Sequence, residues 1–141
     1  GMDQLVITQY KKILKILQEN SNILILKIPI EKVKSKEEKE REELQTKNCL
    51  IFKKLEKFFL ESRLCRKNGT IIKREKGYYM TDNWYLYKYN KDVRKVLQEY
   101  PNIYAFADWI DLCFVSENKI ILQTIAHEGM CFGSAELFRD I

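Results

Sequence analysis

His127, Glu128 and Cys131 fall within one short stretch near the end of the chain. A cysteine and a histidine within hydrogen-bond reach generate a nucleophilic thiolate, and a carboxylate such as Asp108 or Asp111 would orient the imidazole. That constellation would define a cysteine-dependent hydrolase. The spacing argues against it, because catalytic Cys and His normally come from separate elements. His127 is the single histidine of the chain, and an ordinary structural role is its default.

Other chemistry is poorly supplied. The cysteines Cys49, Cys65, Cys113 and Cys131 are widely spaced, with no C-x-x-C pair, and one histidine does not complete a zinc site. They read as free thiols of a cytoplasmic protein. Asp108 and Asp111 are three residues apart, so a strand would place them on opposite faces, which disfavours joint acid–base work. No G-x-G-x-x-G or G-x-x-x-x-G-K-[ST] motif is present, and the chain has only five glycines. The expectation is no metal, no cofactor, and a binding protein more readily than an enzyme.

Two binding surfaces are legible. Arg63, Arg66, Lys67, Lys73 and Arg74 surround Asn68-Gly69, and tyrosines and Trp84 follow. Basic residues interleaved with aromatics bind phosphate backbone and stack bases. A helix leading into such a hairpin has the outline of a winged-helix reader, which makes a nucleic-acid-binding regulator the alternative reading. The first reading is a small non-catalytic protein-binding module, of the immunity or antitoxin type by analogy of class. Its anchors would be Trp84, Tyr85, Asp108, Trp109 and Asp111, since aromatic residues dominate interface energetics.

Charge supports a two-sided object. Residues 1–99 carry 23 Lys and Arg against 14 Asp and Glu, whereas residues 100–141 carry two against six. The net charge is +5. Electrostatic steering by such a split favours a protein partner over uniform polyanion binding.

These residues need elements to position them. Leu5, Val6, Tyr10, Ile13, Leu14 and Leu17 recur at helical spacing and predict a helix from Asp3 to about Glu19, with Lys11, Lys12 and Lys15 on its other side. Ile23–Ile28 predicts a short, well-buried strand stopped by Pro29. Residues 31–47 are charged with mixed sign and read as a solvated helix or loop. From Leu44, the spacing of Ile51, Phe52, Leu55, Phe58 and Phe59 predicts a long helix, continued by Leu60 and Leu64 to a cap at Asn68-Gly69. A type I′ hairpin turn at Asn68-Gly69 is the other option.

Residues 70–89 predict a hairpin turning at Thr81-Asp82-Asn83, and Asn90 caps a short helix stopped by Pro101. Ile103–Ala107, Trp109–Val115 and Ile120–Ala126 read as strands, the last two joined by a turn at Ser116–Lys119. Met130–Phe132 is a last strand, and Ser134 caps a terminal helical turn. The expected fold is α+β, an antiparallel sheet packed against two longer helices and one short helix.

At 141 residues, 45% hydrophobic and 32% charged, the chain has the composition of one folded domain, residues 1–141. No stretch approaches the length of a membrane span, and no secretory signal is read at the N-terminus. The expected location is cytoplasmic.

Overall fold

The computed structural model describes residues 1–30, 36–47, 49–66, 72–74, 78–107 and 110–141. Its eight strands are β1 (Met2–Leu5), β2 (Ile23–Ile30), β3 (Phe59–Arg66), β4 (Ile72–Arg74), β5 (Tyr78–Lys88), β6 (Asp111–Ser116), β7 (Lys119–Ile125) and β8 (Met130–Ser134). Five helices accompany them: α1 (Tyr10–Asn20), α2 (Lys36–Lys47), α3 (Leu50–Leu55), α4 (Lys91–Leu97) and α5 (Ala135–Phe138). The strands form one antiparallel sheet in the order β1-β8-β7-β6-β2-β5-β3, with β4 also paired to β5. No helix among the described residues is long and apolar enough to cross a membrane.

One face of the sheet carries the main core. Tyr10, Ile13, Leu14 and Leu17 are buried along α1 at the spacing that builds a single helical stripe. Ile51, Phe52 and Leu55 of α3 and Val93 and Leu97 of α4 join them. The sheet contributes alternate residues: Leu24 and Leu26 of β2, Tyr87 of β5, Leu112 and Phe114 of β6, Leu122 of β7 and Cys131 of β8. The Tyr10 hydroxyl donates to the Leu97 carbonyl at 2.7 Å, tying α1 to α4, and the Tyr89 hydroxyl donates to the Leu14 carbonyl at 2.6 Å. Both phenols thereby keep a partner in a buried setting, as buried hydroxyls must.

The expected α+β fold with its antiparallel sheet is present, but several elements differ. The first helix starts at Tyr10, not Asp3, because Met2–Leu5 pairs with β8 as an edge strand. β2 runs through Pro29 to Ile30. Among the described residues its pairing with β6 reaches Lys27↔Asp111, and Pro29 stands opposite Asp82 of β5.

The long helix expected from Leu44 is instead α2, the six-residue α3, a 3₁₀ turn Glu56–Phe58, and then strand β3. α1 packs on the sheet, and the side chains described in α2 are exposed. β3 and β4 both run antiparallel to β5, β3 opposite Thr81–Tyr87 and β4 opposite Tyr78–Met80. The two therefore run in the same direction and are not the arms of one hairpin; Asn68-Gly69 itself lies outside the described residues. β5 passes straight through Thr81-Asp82-Asn83, where a turn was expected. Residues 103–107 are not a strand; Ile103 and Phe106 are buried from an irregular segment.

Other expectations hold. Asn90 caps α4 by accepting the Val93 amide at 3.0 Å. The β6–β7 turn has Glu117 at φ 49° and Asn118 at φ 67°, the left-handed pair a two-residue hairpin favours. Ser134 precedes α5, but its side chain makes no capping bond. Beside it, Gly133 allows a close approach: a Cβ there would lie 2.6 Å from Leu5 Cδ1 and 2.9 Å from Phe138 Cδ2.

Candidate docking surface

The Cys131–His127 pair is not assembled as a nucleophile. Cys131 is fully buried on the core side of β8, opposite Thr124, and burial pushes its thiol up to about 12. His127 sits on the 3₁₀ turn Ala126–Glu128 with its side chain 66% exposed, its Nε2 3.7 Å from Glu128 Oε1. A thiol that stays protonated at neutral pH is no nucleophile. Cys113 is buried and likewise pushed up, and Cys49, Cys113 and Cys131 are all free thiols. Among the described residues no cluster of His, Cys, Asp and Glu is suited to hold a metal ion.

Asp111 serves the sheet. At the end of the β6–β7 ladder its Oδ1 accepts the Ala126 amide at 2.7 Å, and Thr124 Oγ1 accepts the Leu112 amide at 2.8 Å. Side chains thus take over backbone donors where strand pairing stops, which a partly buried amide requires. Asp108 and Trp109 lie outside the described residues, so the acidic pair flanking Trp109 has no geometry to report.

Trp84 and Tyr85 are divided by the pleat. Successive residues of a strand face opposite sides. Tyr85 turns toward the helices and meets Phe52 edge-on, ring centres 5.2 Å apart. Trp84 belongs to a second, smaller cluster on the other face: Ile25, Leu86 and Cys113 are buried there, with Ile23, Trp84 and Val115 packed around them. All of these are strand residues, and among the described residues no helix contributes to the cluster. With respect to α1, α3 and α4 this is the open face of the sheet.

The strip is ordered by register. Trp84, Lys27 and Asp111 form one row across β5, β2 and β6, and Leu86, Ile25 and Cys113 form the next. The Lys27 ammonium lies over the Trp84 ring, 4.5 Å from its centre. On the other side of Trp84, Arg63 is its register partner on β3 and is ion-paired with Glu61. The Trp84 Nε1 is buried without a hydrogen-bond partner among the described residues. Trp84 is therefore a half-buried aromatic between two cations, on an apolar floor.

Arg66 ends β3 opposite Thr81, and Lys73 and Arg74 lie in β4 opposite Tyr79 and Tyr78; Lys67 lies outside the described residues. The described members of the basic set lie on β3 and β4, two strands that both pair with β5. The helix that would have led into a winged-helix hairpin is strand β3, which corrects the helix–hairpin outline.

Sequence reasoning did not single out Ile23, Ile25, Leu86, Cys113 and Val115 as an open-face strip. Their signal was the unbroken apolar run Ile23–Leu26, since a strand apolar on both faces is clad on both. The lysines that the sequence places on the polar side of the first helix join others in one layer. The layer of α1, α3 and α4 exposes Lys11, Lys12 and Lys15 from α1, Lys53 from α3 with Lys57 in the following turn, and Lys91 and Lys95 from α4; Lys54 and Arg94 are half-buried. The acidic residues of the same elements are Glu19, Glu56, Asp92 and Glu99, and Glu99 is held by Lys54 at 3.0 Å.

Compared with known family models, curated proteins and solved structures, the chain matches none.

Proposed function

We propose that this chain is a non-catalytic protein-binding module that docks its partner on the open face of the sheet. The observation that carries this reading is the strip of Ile23, Ile25, Trp84, Leu86, Cys113 and Val115, to which no helix contributes among the described residues. A tryptophan on an apolar floor with a charged rim is the composition of an interface hot spot. The partner's matching surface is apolar at its centre. It carries carboxylates at its rim, where Lys27 and Arg63 flank Trp84. Covering another protein in this way is what immunity proteins and antitoxins do. The buried thiols and exposed histidine supply no competing catalytic reading.

The test is capture of partners from the source lysate by wild type and by Trp84→Ala, each first shown to be folded. Hydrogen exchange on the purified complex follows. A partner held by wild type and lost by Trp84→Ala, with protection over β2, β5 and β6, is expected. An unchanged partner set, or protection confined to the helices, would refute the proposal.

A further inference from the structure

The helix layer lies on the opposite side of the sheet from the docking strip, and its charge has no role there. α4 sits between α1 and α3. It is joined to α1 by the Tyr10–Leu97 hydrogen bond and by Gln98 Nε2 donating to the Lys11 carbonyl at 3.4 Å. It is joined to α3 through Glu99, which pairs with Lys54. The lysines of α1 and α4 therefore share one surface. Between the first turn of α1 and the end of α4 runs an open groove of about 670 Å³, lined by Lys11 and Lys12 from α1 and by Gln98, Glu99 and Tyr100 after α4, the Glu99 carboxylate being held by Lys54.

This arrangement opposes helix stability. The first turn of α1 carries no acidic residue, and the helix has no side-chain N-cap bond. Lys11 and Lys12 add positive charge where the helix dipole is already positive. An anion over this surface relieves both terms.

We infer that the α1–α4 surface binds the phosphate backbone of a nucleic-acid duplex without reading its sequence. Three observations choose this occupant. Lysine is depleted in protein–protein interfaces, so a lysine-rich face fits a partner met as a line of point charges. A lipid surface needs apolar side chains to insert, and α1 and α4 contribute no exposed large hydrophobic residue. Single strands are held by stacking on exposed aromatics, whereas Tyr10 is buried, its hydroxyl bonded to Leu97, and the half-buried Tyr100 ring is taken up by Phe106 at 4.6 Å and the Lys54 ammonium at 5.2 Å. What remains is charge attraction to regularly spaced phosphates, driven by counterion release.

The inference stands apart from the docking strip, and either can fail alone. The experiment is fluorescence anisotropy of a labelled random-sequence duplex with the full chain, over a salt series. Lys11→Glu/Lys95→Glu is compared with Lys119→Glu/Arg139→Glu, which changes net charge equally at exposed positions off this surface. Wild type should bind in roughly the 10⁻⁶–10⁻⁴ M range, with a log–log salt slope of about −0.9 per phosphate contacted. The first variant should lose about tenfold or more and flatten the slope by about 2, one per lysine removed; the second should stay within about twofold of wild type. No salt-dependent binding, equal loss in both variants, or a preference for single strands, anionic vesicles or polyglutamate over the duplex would overturn the assignment.

Discussion

Lys27 and Trp84 are register partners on adjacent strands, with the ammonium 4.5 Å from the ring centre. The cation covers the Trp84 ring, with the apolar floor of Leu86 and Ile25 beside it. Such a contact is worth about 0.5–1 kcal/mol at a partly exposed site. Lys27→Ala should therefore cost about that much in urea unfolding. Trp84→Ala, which also strips packing from Leu86 and Ile25, should cost more. If Trp84 is an anchor, its truncation weakens partner binding by about 2 kcal/mol or more, roughly 30-fold, by calorimetry.

Thr124 and Asp111 are predicted to matter for stability before function. Thr124→Val keeps shape but leaves the buried Leu112 amide without its acceptor, which costs about 1–3 kcal/mol. Asp111→Ala should release the Ala126 amide. Hydrogen exchange should then show faster exchange at Leu112 in the first variant and at Ala126 in the second. Retention of partner binding by folded Asp111→Ala would mark this carboxylate as a sheet device and not a docking group.

The elements most legible in the sequence are those decided locally. Asn90 announces α4 because its side chain completes the cap itself. Glu117-Asn118 announces the β6–β7 turn because a two-residue hairpin needs left-handed backbone. Residues 59–66 were misread because Phe59, Leu60 and Leu64 satisfy helical spacing as well as a strand does. Their state is decided by the distant edge of β5, with Leu60 left over as a bulge between Phe59↔Tyr87 and Glu61↔Leu86. Met2–Leu5 is likewise a strand only because β8 supplies the pairing. Of the expected docking residues, Trp84 and Tyr85 rest on aromatic composition alone. The pleat then separates them, a consequence that alternation carries once β5 is known to be continuous.

The turn offers a stabilising change. Glu117 holds φ 49° with a side chain that gains little from that conformation. Asn tolerates the left-handed region better. Glu117→Asn should raise stability by several tenths of a kcal/mol, read as a higher urea midpoint at unchanged slope. A lower midpoint would show that Glu117 makes a compensating contact.

Gly133 should tolerate a side chain poorly. A Cβ placed there meets Leu5 Cδ1 at 2.6 Å and Phe138 Cδ2 at 2.9 Å, so one or both of these side chains must shift. Gly133→Ala should cost about 1–3 kcal/mol. Adding Leu5→Ala removes one of the two obstacles, so the double variant should lose less than the sum of the single changes. Strict additivity in thermal unfolding would show that the clash is relieved elsewhere.

Alkaline pH should unfold the chain through groups that burial keeps protonated. Burial raises the Cys131 thiol from 9.0 to about 12 and also raises Cys113. Tyr10, Tyr87 and Tyr89 are raised in the same direction, desolvation being the main cause for each. For each group the folded state holds its proton more tightly than the unfolded chain. The stabilisation is complete below the unfolded pKa, and it is lost as pH climbs from there through the folded value. Stability should therefore be flat with respect to these groups up to about pH 9 and should fall between about pH 9 and 12. Cys113→Ser and Cys131→Ser each remove one thiol from that loss and should make the fall shallower, once each variant's own packing cost is measured at neutral pH. Below pH 9 the native protein should show Cys113 and Cys131 resistant to alkylation, with full labelling only after unfolding. Rapid labelling of Cys131 in the folded chain would contradict its burial.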